Sequence, residues 1–145
     1  MELLERLIRF ATIRPRTEFE VKRWFARKKV SEKDSQIALR ELKTAGLVDD
    51  EAFAKWWVDQ RVTFRPKSSR LLVLEIVKKG VSRELAQKVV GKSNLNDESM
   101  AFQLIEKKKR IWERLSPEER KKKTIAFLQT RGFKWEVIKK MISLY

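Results

Sequence analysis

The spacing of apolar residues predicts helices along the whole chain. The first stripe is formed by Leu3, Leu4, Leu7, Ile8 and Ala11, which recur at the intervals of one helical face. Similar stripes comprise Val21, Trp24 and Phe25; Ile37, Ala38 and Leu42; Phe53, Trp57 and Val58; residues 71–77; Leu85, Val89 and Val90; Met100, Leu104, Ile105, Ile111, Trp112 and Leu115; Ile125 and Leu128; and Val137, Ile138, Met141 and Ile142. This pattern predicts an all-α fold.

Capping residues and glycines mark the predicted helix ends. Thr17 and Glu20 have the spacing of a capping box, and Ser116 opens a helix with proline at its first position. Gly46 follows an apolar stripe, where a left-handed cap is expected, and Gly132 is predicted to end the helix before it. Residues 71–77 are short and apolar enough to be a buried strand instead. We favour a helix there, because the stop-then-cap pattern recurs directly after it.

An internal repeat divides the helices into groups of three. Residues 14–17 and 65–68 share an Arg-Pro-basic-Ser/Thr motif at an interval of 51, and apolar positions agree at the same offset. We therefore predict an elongated array of three tandem three-helix repeats, at residues 1–48, 49–95 and 96–145. Their net charges are +5, +4 and +6, so basic charge is spread over the whole array.

Charge and composition limit the function. The 145-residue chain has 35 Lys and Arg against 20 Asp and Glu, which favours a polyanionic or acidic partner. It has no cysteine and no histidine, which excludes disulfides, thiolate or histidine metal sites and histidine-based catalysis. Its longest apolar run, residues 71–74, is too short to cross a bilayer. We expect a non-enzymatic, soluble, cytoplasmic protein.

Three segments resemble the RecX family of regulatory proteins. Residues 42–61, which include Gly46-Leu47-Val48-Asp49-Asp50 and Phe53-Ala54, are similar to the central signature of that family. Residues 14–21 and 66–81 are similar to its first- and second-repeat motifs, with Arg65 where the family often has glycine before the proline. The resemblance covers residues 10–90, and the last third matches only in pattern.

The resemblance implies a specific role. RecX proteins are tandem three-helix repeats that bind the RecA recombinase, lie in the helical groove of its filament on single-stranded DNA, and suppress its ATPase and strand exchange. It therefore implies a regulator of homologous recombination, DNA repair and the SOS response that needs no cofactor. The RecA filament is the implied partner, single-stranded DNA is a candidate second partner of the basic surface, and a monomer is expected. The alternative is a helix-turn-helix protein that binds DNA on its own.

The candidate contact residues are mostly cationic. Arginine suits both phosphate and carboxylate partners through bidentate hydrogen bonds, although a solvated helix end is an equally good interpretation. The candidates are Arg14, Arg16, Arg61, Arg65, Lys67, Arg70, Lys78 and Lys79, together with Trp56, the tryptophan expected to be exposed. The other tryptophans are predicted to pack in the core.

Other conspicuous residues have simpler interpretations. The basic runs at 107–110 and 120–123 point around the whole helix, so we expect partly solvated runs and not a dedicated site. Asp49 and Asp50 are predicted helix caps and not metal ligands. Residues 91–93 resemble the end of a phosphate-binding loop, but Ala86 stands where that motif requires glycine, which argues against a nucleotide site.

Overall fold

The computed structural model describes residues 2–93 and 95–144 and contains nine α-helices within them. The helices are α1 (Glu2–Ile13), α2 (Glu18–Arg27), α3 (Glu32–Thr44), α4 (Asp50–Phe64), α5 (Ser69–Lys78), α6 (Arg83–Lys92), α7 (Asp97–Trp112), α8 (Pro117–Thr130) and α9 (Trp135–Leu144). β-Structure in the described residues amounts to one isolated bridge, between Arg16 and Val48. The all-α class is confirmed, and α5 excludes a strand at residues 71–77.

The predicted caps are present. Thr17 Oγ1 accepts a hydrogen bond from the Glu20 backbone N–H (3.1 Å), while Glu20 Oε1 accepts one from the Thr17 N–H (3.2 Å). Ser116 accepts from the N–H at the third position of α8, where proline is the first residue. Gly46 and Gly132 have positive φ, at +74° and +82°. Caps are therefore readable from the sequence, because both partners lie within a few residues.

The chain packs as two compact units. The first contains the residues up to Trp57 and Glu75–Val89, and the second contains Val58–Leu74 and the residues from Val90 onwards. The first has a core of Leu7, Ala11, Val21, Trp24, Phe25, Leu42 and Val48. The second has a core of Met100, Ala101, Leu104, Ile105, Leu128, Phe133, Ile138 and Met141. The repeat boundaries at residues 48 and 95, and the elongated arrangement, stay predictions.

Several apolar residues predicted to face inward are exposed instead. In α1, Leu7 and Ala11 are buried, whereas Leu3, Leu4 and Ile8 are 44–55% exposed. The apolar arc of α1 is therefore wider than the surface that covers it.

Corrections in α3, α7 and α9 follow from helical geometry. Ile37 is exposed, because it lies five residues before the buried Leu42, about 140° away around the helix. Ile111 is 65% exposed although the next residue, Trp112, is buried, because the edge of the inward-facing arc of α7 falls between them. Trp135, predicted to pack in the core, is 53% exposed, and Trp56, predicted to be exposed, is partly buried, so both predictions were wrong.

The start of α2 packs against the end of α5 within the first unit. The buried Thr17 hydroxyl donates a hydrogen bond to the Lys79 carbonyl (2.7 Å). Gly80 has φ +107°, and a Cβ there would overlap the Phe19 side chain. Asp50 Oδ1 accepts from the backbone N–H of Glu18 (2.9 Å), the first residue of α2. A carboxylate distant in sequence thus adds a second cap to α2.

The same parts recur in the second unit, where the start of α5 packs against the end of α8. The Ser68 N–H donates to the Arg131 carbonyl (3.1 Å), and Asp97 Oδ1 accepts from the Ser69 N–H (3.0 Å). A Cβ on Gly132 would lie 2.7 Å from Ser68 Oγ and 3.0 Å from Leu71 Cβ. Ser68 Oγ also accepts from the Leu71 N–H (3.2 Å), so both junctions have a hydroxyl cap, a distant aspartate and a crowded glycine with positive φ.

Candidate functional site

The predicted contact residues are divided between the two units. The first unit contains Arg14, Arg16, Trp56, Lys78 and Lys79, and the second contains Arg61, Arg65, Lys67 and Arg70. Lys78, Arg65 and Arg70 are exposed, whereas the other six are partly buried.

Three of them meet in an aromatic cluster of the first unit. The Arg14 guanidinium lies 5.7 Å from the Trp56 ring centre and 5.6 Å from that of Phe53. Lys79 Nζ lies 5.4 Å from the ring centre of Trp57, which in turn is 6.2 Å from Trp56. These are cation–π distances, so the cluster holds two cations over a continuous set of rings.

Arg14 and Arg16 are also engaged within the first unit. Arg14 forms an ion pair with Glu20 and donates to the Pro15 carbonyl (2.9 Å). Arg16 Nε donates to the Phe10 carbonyl (2.7 Å), and its guanidinium lies 3.8 Å from the Phe10 ring centre. Burial lowers the pKa of Arg16, and the neighbouring Arg14 charge lowers it further. Both arginines therefore position α1 and α2, and a partner contact by them stays a prediction.

A basic groove lies in the second unit. It has a volume of about 550 Å³ and is lined by Phe64, Arg65, Pro66, Lys67, Leu104, Lys107, Lys108, Phe127, Thr130 and Arg131. Five lining residues are cationic and none is acidic. We call this set the basic groove.

Aromatic rings organise the basic groove. The Arg131 guanidinium stacks 3.8 Å from the Phe127 ring centre, and Lys108 Nζ lies 5.5 Å from the same ring. Stacking fixes a flexible cation in place before any partner arrives. Phe64, in contrast, is 69% exposed at the groove.

Sequence reasoning found only part of the basic groove. Arg65 and Lys67 were predicted as contact residues, but Lys107, Lys108 and Arg131 were not. Lys107 is exposed, as predicted. Lys107 and Lys108 nevertheless both line the groove, because this part of α7 lies beside residues 64–67. The one local signal for Arg131 was its position four residues after Phe127, a spacing that allows side-chain contact on a helix.

The second basic run has a mainly structural first member. Arg120 Nε donates to the Trp112 carbonyl (3.3 Å), and its Nη2 donates to the Glu113 and Leu115 carbonyls (3.3 and 3.2 Å). It therefore satisfies the carbonyls at the end of α7. The run is partly solvated, as predicted, because Arg120 is engaged whereas residues 121–123 are exposed.

The adjacent aspartates act as caps. Asp49 Oδ1 accepts from the N–H groups of Glu51 and Ala52 (3.0 and 3.1 Å), which caps α4, while Asp50 caps α2 as described above. The prediction of caps is confirmed. Across residues 2–93 and 95–144, no group of acidic side chains has an arrangement that could hold a metal ion.

Two family models match most of the chain. "RecX, second three-helix domain" matches residues 49–90, and "RecX, third three-helix domain" matches residues 96–142. A regulatory protein RecX from Amycolatopsis mediterranei is 31% identical over 122 residues, covering 83% of this chain and 70% of that protein. The chain belongs to the RecX family. A RecX from Chlorobium limicola, also named a regulatory protein, is 28% identical over 136 residues, covering 94% of this chain and 84% of its own.

Solved RecX structures share the fold. The crystal structure of RecX from Lactobacillus salivarius has a TM-score of 0.79 and 19% identity, covering 97% of this chain and 94% of that one. A second crystal structure of a regulatory protein RecX has the same TM-score with 20% identity, covering 97% of this chain and 71% of that one. None of the helices in the described part of this RecX-family chain is long and apolar enough to span a membrane.

Proposed function

We propose that this RecX-family protein binds the RecA filament on single-stranded DNA, in its helical groove, and inhibits ATPase and strand exchange. It acts by binding, as a regulator of recombinational DNA repair and the SOS response, and not by catalysis. Membership of the RecX family is the observation that carries the proposal. We further propose a monomeric, cytoplasmic protein built of three-helix repeats at residues 1–48, 49–95 and 96–145.

The distribution of charge supports this role. Each unit presents cations of the predicted set, and the chain carries a net charge of +15. A nucleoprotein filament offers both DNA phosphates and protein carboxylates, and a basic surface is attracted to either. By occupying the groove, the protein would compete with incoming DNA strands or block the protomer movements that accompany ATP turnover.

The DNA-dependent ATPase of RecA tests the proposal. We expect substoichiometric amounts of this protein to inhibit the ATPase at low salt, because one bound molecule affects several protomers. Absence of both inhibition and filament binding would contradict the proposal.

A matched pair of variants tests the predicted contacts. Lys78 and Lys88 are both exposed lysines of the first unit, but only Lys78 is a predicted contact. Lys78→Glu should raise the concentration needed for half-inhibition more than Lys88→Glu does. Equal effects would remove Lys78 from the interface.

The same preparation separates this role from the helix-turn-helix alternative. A stand-alone DNA-binding protein would select particular duplex sequences without RecA. A filament regulator should show no such selectivity. Competition binding between duplexes of different sequence measures this selectivity.

A further inference from the structure

We propose that the basic groove is a single-strand-specific nucleic-acid site. In this site, cations bind phosphates along the groove and Phe64 stacks on an unpaired base. The inference deepens the proposed function and rests on it for its biological setting. The binding itself is tested on bare DNA, without RecA.

The charge of the basic groove selects a polyanion. Arg65, Lys67, Lys107, Lys108 and Arg131 line one groove, and no lining residue is a carboxylate. Their proximity raises the local positive potential well above that of scattered surface lysines. Each phosphate bound there releases condensed counterions, which makes the affinity depend steeply on salt.

The aromatic residues favour nucleic acid over an acidic protein segment. Phe64 is 69% exposed in a groove lined by cations. Exposure of an apolar ring to water is unfavourable, so covering it with a ligand would lower the free energy. Single-strand-binding sites combine a basic groove with aromatic rings of this kind, because every base has a face that can stack. Phe127 is already covered by Arg131 at 3.8 Å, so Phe64 is the ring that a base would meet.

The exposed Phe64 ring favours single strands. A base in a duplex is paired and stacked, so it cannot reach Phe64 without unstacking. We therefore expect oligo-dT to bind more tightly than a duplex of the same length.

Fluorescence anisotropy of labelled oligo-dT tests the role of charge. The variant Arg65→Ala/Lys107→Ala removes two exposed groove cations, and Lys121→Ala/Lys122→Ala removes two exposed lysines of the same unit outside it. Two lost phosphate contacts should flatten the slope of log affinity against log salt by about 1.4, since each contributes about 0.7 on single strands. The control pair should leave the slope close to that of the parent.

Substitution of Phe64 tests stacking separately. Phe64→Ala should weaken oligo-dT binding roughly 5- to 150-fold without changing the salt slope, and Phe64→Trp should restore it. Phe102→Ala, at another exposed phenylalanine of the second unit, should have little effect.

Three results would overturn the inference: no oligo-dT binding at low salt, equal effects of the two double variants, or duplex binding as tight as single-strand binding. Competition by polyglutamate that exceeds competition by unlabelled oligo-dT would reassign the groove to an acidic protein surface. If the parent protein inhibits RecA while both double variants bind oligo-dT equally, only this inference fails. If oligo-dT binding behaves as expected but RecA is not inhibited, only the proposed function fails.

Discussion

Replacing Gly132 with alanine perturbs the junction between the end of α8 and the start of α5. Gly132 has φ +82°, a conformation that costs a residue with a Cβ about 1–2 kcal/mol. The added Cβ would also lie 2.7 Å from Ser68 Oγ and 3.0 Å from Leu71 Cβ, closer than normal contact. Relieving such overpacking typically costs about 1–3 kcal/mol. We therefore expect Gly132→Ala to lower the free energy of unfolding by about 2–5 kcal/mol.

Gly46→Ala is the matched control. Gly46 has a similar φ of +74°, but a Cβ there would meet no atom within 4 Å. It should therefore carry only the backbone cost of about 1–2 kcal/mol. The difference between the variants, about 1–3 kcal/mol, isolates the contact with Ser68 and Leu71.

Thermal and urea unfolding followed by far-UV circular dichroism measure this difference. For a chain of this size, 1 kcal/mol shifts the thermal midpoint by about 2–4 °C, so Gly132→Ala should unfold well below Gly46→Ala. Equal midpoints would show that the end of α8 does not press on the start of α5, and would refute this packing.

Three further predictions concern capping and charge. Asp97→Ala removes the distant cap of α5 and should destabilise by about 0.5–2 kcal/mol in urea unfolding, whereas the exposed Asp59→Ala should be neutral. A hydrogen bond with Lys43 holds the pKa of the Glu18 carboxyl below its usual 4.5. The ionised Glu18 therefore stabilises the fold above pH 4.5, and this stabilisation is lost as the pH falls through the folded-state pKa. The stability gap between parent and Glu18→Gln, at most about 1 kcal/mol, should shrink in acid, and a gap independent of pH would contradict the assignment. Arg120→Met should lower the thermal midpoint by the equivalent of about 1–3 kcal/mol, and an unchanged midpoint would show that the α7 carbonyls are satisfied without it.

The helices and their ends could be predicted because their signals are local. Thr17 and Glu20 are three residues apart, and their reciprocal hydrogen bonds need no partner from elsewhere in the chain. Gly46 and Gly132 mark helix ends because few other residues adopt a positive φ without cost. The family signature was readable for the same reason, since it is built largely of these turns and caps.

The inward face and the site could not be predicted as well, because both depend on neighbours distant in sequence. Helical spacing alone does not tell how wide an arc of α1 is covered, so Leu4 and Ile8 were wrongly placed inside. The groove pairs residues 64–67 with Lys107 and Arg131, which are 40 or more positions away. A charge run such as 107–110 thus gave no indication of which members would share a groove.

An electron-microscopy reconstruction of RecA filaments on single-stranded DNA with this protein bound would measure groove binding most directly. We expect helical density that follows the filament groove and fits the three-helix units, and that disappears when the ionic strength is raised. Density confined to filament ends, or decoration of bare DNA alone with an empty groove, would contradict it.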